Sequence, residues 1–93
     1  MKQWQLRLYR AKEGALDDFV REWHDHVLPL RRAHGFEVLG PWVSDDGRFV
    51  WIIGHDDLAA ADAAYYASPE RAAVDPDPAR HIAHAEHIAL HER

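Results

Sequence analysis

Eight histidines in 93 residues are the first chemistry visible in this chain. An unperturbed imidazole titrates at about 6.5, which suits proton transfer at neutral pH. Two of them, His24 and His26, lie in "WHDHVLPLRRAHGF", residues 23–36. Residues two apart on a regular helix point about 200° away from each other, so this pair cannot bind one metal together. Pro29 follows three residues later. It has no N–H, so the Asp25 carbonyl loses its helical partner, and the ring presses on that carbonyl. We expect a kink at residues 25–29 that opens a cleft between helix and sheet. One histidine would look into it as acid or base; the plainer alternative is a packed ring with one wet nitrogen. His55 ends a strand-like run, beyond which ligands gather in open α/β structures; its plainer role is to hold a backbone carbonyl.

The last segment, "ARHIAHAEHIALHER", carries His81, His84, His87 and His91. As a helix it would line these up as a stripe able to hold a transition metal or haem, with Glu86 the nearest carboxylate. As a strand it would send His84 to one side and the other three to the opposite side, with Ile82, His84, Glu86, Ile88 and Leu90 on one face. Alanine and glutamate favour the helix, whereas the order of elements favours the strand. We expect no metal and no cofactor. The aromatic set, Trp4, Tyr9, Trp23, Trp42, Trp51, Tyr65 and Tyr66, belongs first in a core or an interface. Within it, Tyr9, Trp23, Trp51 and Tyr65 could instead line a flat apolar pocket for a ring-shaped ligand, with histidines as its polar groups.

Other chemistries lack their usual marks. There is no G-x-S-x-G, phosphate-binding glycine loop, Rossmann fingerprint or H-E-x-x-H. The absence of cysteine excludes disulfides, thiolate nucleophiles and Cys-type zinc sites. Sixteen acidic against eleven basic residues give a net charge of −5, and Arg31-Arg32 is the only adjacent basic pair, so no basic face for nucleic acid is visible. No apolar run approaches the roughly 20 residues of a membrane span, and the alternating first residues do not read as a signal peptide. A cytoplasmic protein without nucleic-acid or membrane partners is the expectation.

The elements that must position these residues follow from periodicity. "QWQLRLYR" alternates Trp4, Leu6 and Leu8 with Gln5, Arg7 and Tyr9, a strand signal. Leu16, Phe19, Val20, Trp23, Val27 and Leu30 recur at helical steps as one apolar stripe, and Gly35 is the expected left-handed stop. "FEVLGPWV" is a second strand; Pro41 makes it an edge or marks a bulge at Gly40-Pro41. Alternation would group Phe36, Val38 and Trp42 against Leu39 and Val43. Asp46-Gly47 forms a tight turn into "RFVWIIGH", whose continuous apolar run reads as a strand buried on both faces. Asp56 or Asp57 caps a helix "LAAADAAYYA", and Ser68-Pro69 starts a short one.

The resulting order, β-α-β-β-α-β over a single domain of residues 1–93, is that of an α+β ferredoxin-like subunit. Its first and third strands are central. Two helices cover one sheet face, and the other face is too apolar for an ordinary monomer surface. We therefore expect a homodimer packed sheet against sheet, most simply with two-fold symmetry.

"LRLYRAKEGALDDFVREWHDHVLPLRRAHGFEVLGPWV" followed by "FVWIIGHDDLAAADAAYYASPE" resembles the NIPSNAP family of dimeric α+β barrel proteins. The resemblance covers residues 4 to about 70. It rests on the first strand ending in Tyr9, "G-x-L-D-D-F" opening the helix, Trp23, "VLPL" with Pro29, "HGF", and "HDDLAAA". It implies a face-to-face dimeric barrel, in a superfamily with cofactor-free monooxygenases, polyketide cyclases and haem-handling enzymes. The expectation is a homodimer that binds a small apolar or aromatic molecule in the cleft between sheet and helices. It would be a cofactor-independent cyclase, isomerase or monooxygenase, with His24 or His26 moving a proton, His84 or His55 behind them, and Tyr9 as hydrogen-bonding partner. The alternatives are a non-catalytic ligand-binding or stress-associated dimer and a haem- or metal-binding protein using the C-terminal histidines.

Overall fold

Phe49, Trp51 and Ile53 alternate with Val50 and Ile52 along one strand, and both sets are apolar. Such a strand belongs in the middle of a sheet. The computed structural model, which describes residues 1–93, puts it there. The elements are β1 (Gln3–Ala11), α1 (Leu16–Glu22), a π-helical turn (Trp23–Val27), α2 (Leu28–Ala33), β2 (Glu37–Val43), β3 (Arg48–His55), α3 (Leu58–Ala67), α4 (Pro69–Ala72), a 3₁₀ turn (Pro78–His81) and β4 (Ile82–Leu90). The antiparallel sheet runs β2-β3-β1-β4, the order expected of a ferredoxin-like α+β subunit. The C-terminal segment is therefore strand from Ile82 to Leu90, and the histidine stripe of a helix does not form. No helix is long and apolar enough to cross a membrane.

One sheet face carries the core. Tyr9, Phe49, Trp51, Ile53 and Val38 pack there against Phe19, Trp23, Phe36 and Tyr65, with Leu16, Val20, Val27, Leu30 and Leu58 around them. The rings meet mostly edge to face, for example Phe19 on Phe49 at 4.9 Å and Trp23 on Trp51 at 5.3 Å, the geometry that aromatic quadrupoles favour.

Two bulges change which residues share a face. Along β2, Leu39 pairs with Ile52 and Trp42 with Val50: three steps answer two, as the extra residue of a bulge requires. Trp42 therefore leaves the side of Val38 and joins Leu39, which corrects the alternating assignment. Gly40 sits at φ +98° beside it, and a Cβ there would lie 2.9 Å from the Trp42 ring. Along β4, His84 pairs with Arg10 and Ile82 with Ala11, so Ile82 turns into the core while His84, Glu86, Ile88 and Leu90 stay opposite. His81 lies before the strand, in the 3₁₀ turn.

The kink expected at Pro29 takes the form of a π-turn. The Leu28 N–H reaches the Trp23 carbonyl five residues back, and Pro29 lies in the first turn of the regular helix that follows. Asp57 occupies the N-cap of α3 without a side-chain bond, which corrects its expected capping role. The Asp57 N–H donates instead to His55 Nδ1 at 2.9 Å, and the Leu58 N–H to Gln3 Oε1 at 2.8 Å.

Phe49 has no solvent exposure and touches Tyr9, Phe19 and Trp23. Replacing it by alanine should cost about 3–5 kcal/mol of folding stability, read as a fall in the urea unfolding midpoint at unchanged slope.

Candidate functional site

The face of β1 that carries Gln5, Arg7 and Tyr9 turns toward the helices, not toward water. Arg7 and Arg31 are each only 1% exposed. Burial of a guanidinium needs a partner, and one carboxylate serves both. Asp62 Oδ1 accepts from Arg7 Nη2 at 3.0 Å and from Arg31 Nη1 at 2.7 Å. The Tyr66 hydroxyl accepts from both guanidinium groups at 3.2 Å, and Arg7 Nε donates to Gln5 Oε1 at 2.9 Å. Arg31 also stacks on Tyr65, its guanidinium carbon 3.8 Å from the ring centre.

The π-turn explains why Arg31 points inward. On a regular helix Arg31 would sit about 80° around from Trp23, eight residues earlier. A turn closed five residues apart takes in one residue more than an α-turn. Trp23, Val27 and Arg31 then face the same cavity. On α3, Asp62 and Tyr66 stand four residues apart on one side, where helix neighbours meet, while Tyr65 enters the core.

Between these elements lies a cavity of about 40 Å³, lined by Tyr9, Phe19, Trp23, Val27, Arg31, Trp51, Tyr65, Tyr66, Arg71, Pro78, Ala79 and Ile82. That space holds about three waters or the head of a small ligand. Four buried polar atoms have no hydrogen-bond partner: Trp23 Nε1, Trp51 Nε1, Arg31 Nε and the Tyr65 hydroxyl. All four belong to residues lining this cavity. Burial raises the pKa of Tyr9 and of Tyr65, so both are neutral phenols at physiological pH.

The four aromatic residues expected to form a pocket, Tyr9, Trp23, Trp51 and Tyr65, do meet around one cavity. The expected histidines do not join them. His24 and His26 are exposed, His24 lying 5.1 Å from the Trp23 ring on its outer side. His84 is exposed on the opposite sheet face beside Glu86, at 3.3 Å. His55 packs on Phe36 at 5.4 Å and binds the start of α3. The histidine that shares the sheet face of Arg7 and Tyr9 is His87, paired with Arg7 across the strands and 6.4 Å from the Tyr9 ring; it too is exposed and stands outside the cavity wall. Partial desolvation and then the positive charge of Arg7 lower its pKa, so it is neutral at pH 7. No three His, Asp or Glu side chains converge as metal ligands; β4 separates His84 from His87, and His81 is committed to Glu22.

The NIPSNAP family profile matches residues 4–91. The chain belongs to the NIPSNAP family. None of the curated proteins matches the sequence. Among solved structures, a NIPSNAP domain protein from Burkholderia xenovorans superposes with a TM-score of 0.85 at 24% identity, covering 100% of this chain and 95% of that one. A NIPSNAP family protein from Agrobacterium tumefaciens gives 0.85 at 17% identity, with 100% and 94% covered. An antibiotic biosynthesis monooxygenase gives 0.71 at 17% identity, with 100% and 99% covered, a likeness of fold. The NIPSNAP match runs through β4, beyond the residue-70 limit of the motifs recognised in the sequence.

Arg7, Arg31 and Asp62 form a buried cluster that sequence reasoning missed, and of the three Arg31 lines the cavity. Two signals were available. Arg31 follows Trp23 and Val27 at four-residue steps, and Asp62 is the one charge in an otherwise apolar and alanine-rich helix. Neither signal says that a strand arginine turns inward to meet them.

The cavity wall is held by a second ion cluster. Glu22, at the end of α1, takes both Arg80 Nη atoms at 2.7 and 2.9 Å, and His81 Nε2 at 2.9 Å. The Arg80 hydrogen bond leads in lowering the Glu22 pKa from 4.5 to about 2. A carboxylate depressed on folding stabilises the fold above its unfolded pKa and loses that contribution as pH falls through the folded value. The Glu22→Gln variant should therefore be less stable than wild type at neutral pH. The difference should shrink as pH falls from about 4.5 toward 2, followed by thermal unfolding across that range.

Proposed function

We propose that this NIPSNAP protein is a homodimer that binds a small aromatic or conjugated carbonyl compound in the cavity between sheet and helices, and moves a proton on it. One observation carries the reading. Four aromatic side chains line one small space, and four buried polar groups without partners belong to residues of its wall. Buried polar groups are ordinarily paired, and ligand sites are apolar walls with a few placed polar groups. The Arg31 Nε–H and the Tyr65 hydroxyl would hold the ligand's carbonyl oxygen. A C–H proton beside that carbonyl, on the part of the ligand that leaves the cavity, would pass to neutral His87, which stands outside the cavity wall on the same sheet face, and its return to another carbon completes an isomerisation. Attack of the same carbanion on a second carbonyl would be a cyclisation. At about 40 Å³ the cavity takes the reacting head, and a larger ring would rest in its mouth.

The bare sheet face supports the dimer. Leu39, Ile52, Leu6 and Ile88 form one row across it, and Trp42, Val50 and Leu8 the next. Trp42 is 54% exposed. A second copy packed on this face would cover both rows.

A non-catalytic binder is the second reading, favoured by the exposure of His24, His26, His84 and His87, none of which lines the cavity. Benzoylacetone, a conjugated 1,3-diketone, separates the two. Catalysis predicts tryptophan quenching and faster enol–keto conversion, with the conversion lost in His87→Ala and kept in His24→Ala/His26→Ala. Quenching without conversion selects the binder, and no quenching overturns the site. Sedimentation of the same samples should give a dimer, and Ile52→Glu a monomer; a 10.7 kDa wild-type species would remove the dimer.

A further inference from the structure

The unpartnered groups on the residues that line the cavity can all donate. Trp23 Nε1, Trp51 Nε1 and Arg31 Nε are donors only, and the Tyr65 hydroxyl has a proton to give. The Tyr65 pKa is raised, chiefly by burial, so that proton stays on at neutral pH. What these four protons lack is an acceptor. The charge around the cavity has one sign as well. Arg7 and Arg31 share a single carboxylate, Asp62, and Arg71, which also lines the cavity, is matched one for one by Asp77 at 2.7 Å. Two buried guanidinium groups against one acid leave an uncompensated positive charge where the dielectric is low and charge interactions are strong.

From this we infer that the ligand head is a monoanionic oxygen group, a carboxylate or the enolate of a carbonyl compound, seated on Arg31 Nε, the Tyr65 hydroxyl and the two indole N–H groups. The inference rests on the cavity being a ligand site, as proposed above, and adds the charge of what it takes. A neutral ketone or amide could accept the same hydrogen bonds, but it would leave the excess charge unanswered. Chain residues supply no competing acid: Asp62 is held by two arginines, Asp77 by Arg71, and Glu22 by Arg80 and His81. His87, the titratable group on the adjacent strand, is neutral at pH 7 and adds no positive charge of its own.

Matched pairs of probes test the charge separately from the site. Acetate and acetamide have the same size and shape, as do benzoate and benzamide. At pH 7 and constant ionic strength, the acids should quench tryptophan fluorescence and raise the melting temperature, each at least tenfold tighter than its amide, since hydrogen bonds to charged acceptors exceed neutral ones by about that factor. Tyr65→Phe should weaken benzoate about tenfold and benzamide by a smaller factor, about threefold. Asp62→Asn removes the countercharge. It should lower the melting temperature without ligand, bind benzoate more tightly than wild type, and show a larger benzoate-induced rise. General damage to the fold would weaken binding instead, so the sign separates the two. Acids and amides bound equally, or amides bound better, would overturn the anionic head and leave the ligand site standing. No binding by either pair would overturn both.

Discussion

One carboxylate holds this protein's helices to its sheet. Asp62 comes from α3, Arg7 from β1 and Arg31 from α2, and all three meet at a single oxygen. Each buried guanidinium carries a desolvation penalty of several kcal/mol if left alone. The arrangement is therefore all or nothing: removing the acid strands two cations, whereas replacing the whole set by apolar residues could be neutral. The Tyr66 hydroxyl and the aromatic faces of Tyr65, Phe36 and Trp51 complete the surroundings. This polar knot fixes where α3 sits over the sheet, and hence where Tyr65 stands in the cavity.

The π-turn belongs to the same arrangement. Without the extra residue in the turn at Trp23–Val27, Arg31 would swing off the cavity side and Asp62 would lose its shorter partner. Wide turns of this kind recur at functional sites because they re-aim one residue without ending a helix. Here the re-aimed residue is the one whose Nε lacks a partner. Local backbone irregularity, a buried ion cluster and an acceptor-poor cavity are thus one feature of the fold.

Much of the architecture was legible in the sequence, for physical reasons that can be named. The unbroken apolar run of β3 required a central strand. Pro41 could not donate to a ladder and marked both the edge and its bulge. Gly35, at φ +84°, ended the helix. What failed was parity. A bulge shifts every later side chain to the other face, and periodicity alone does not say which side wins; Trp42 and Ile82 moved for that reason. That Tyr9, Trp23, Trp51 and Tyr65 come together was readable because large rings on converging stripes have to meet. Arg7 was not, because a strand arginine goes to water unless a distant acid offsets its burial, and Asp62 lies 55 residues away. The histidines drew attention through their chemistry, yet none of them lines the cavity, and strand register places His87 on the sheet face of Arg7.

The second sheet face separates what one copy does from what two would do. Its rows of Leu6, Leu8, Val50 and Ile52 stand outside the core cluster, so the helix-side cavity and the proposed dimer surface lie on opposite sides of the same strands. Residues alternate between them along β1 and β3, and a change on one face need not disturb the other.

The most direct test of this account is the unfolding free energy of Asp62→Ala. Loss of a carboxylate shared by two buried guanidinium groups should cost about 3–5 kcal/mol. A loss below about 1 kcal/mol, the value of an exposed ion pair, would show that the acid does not hold the helices to the sheet.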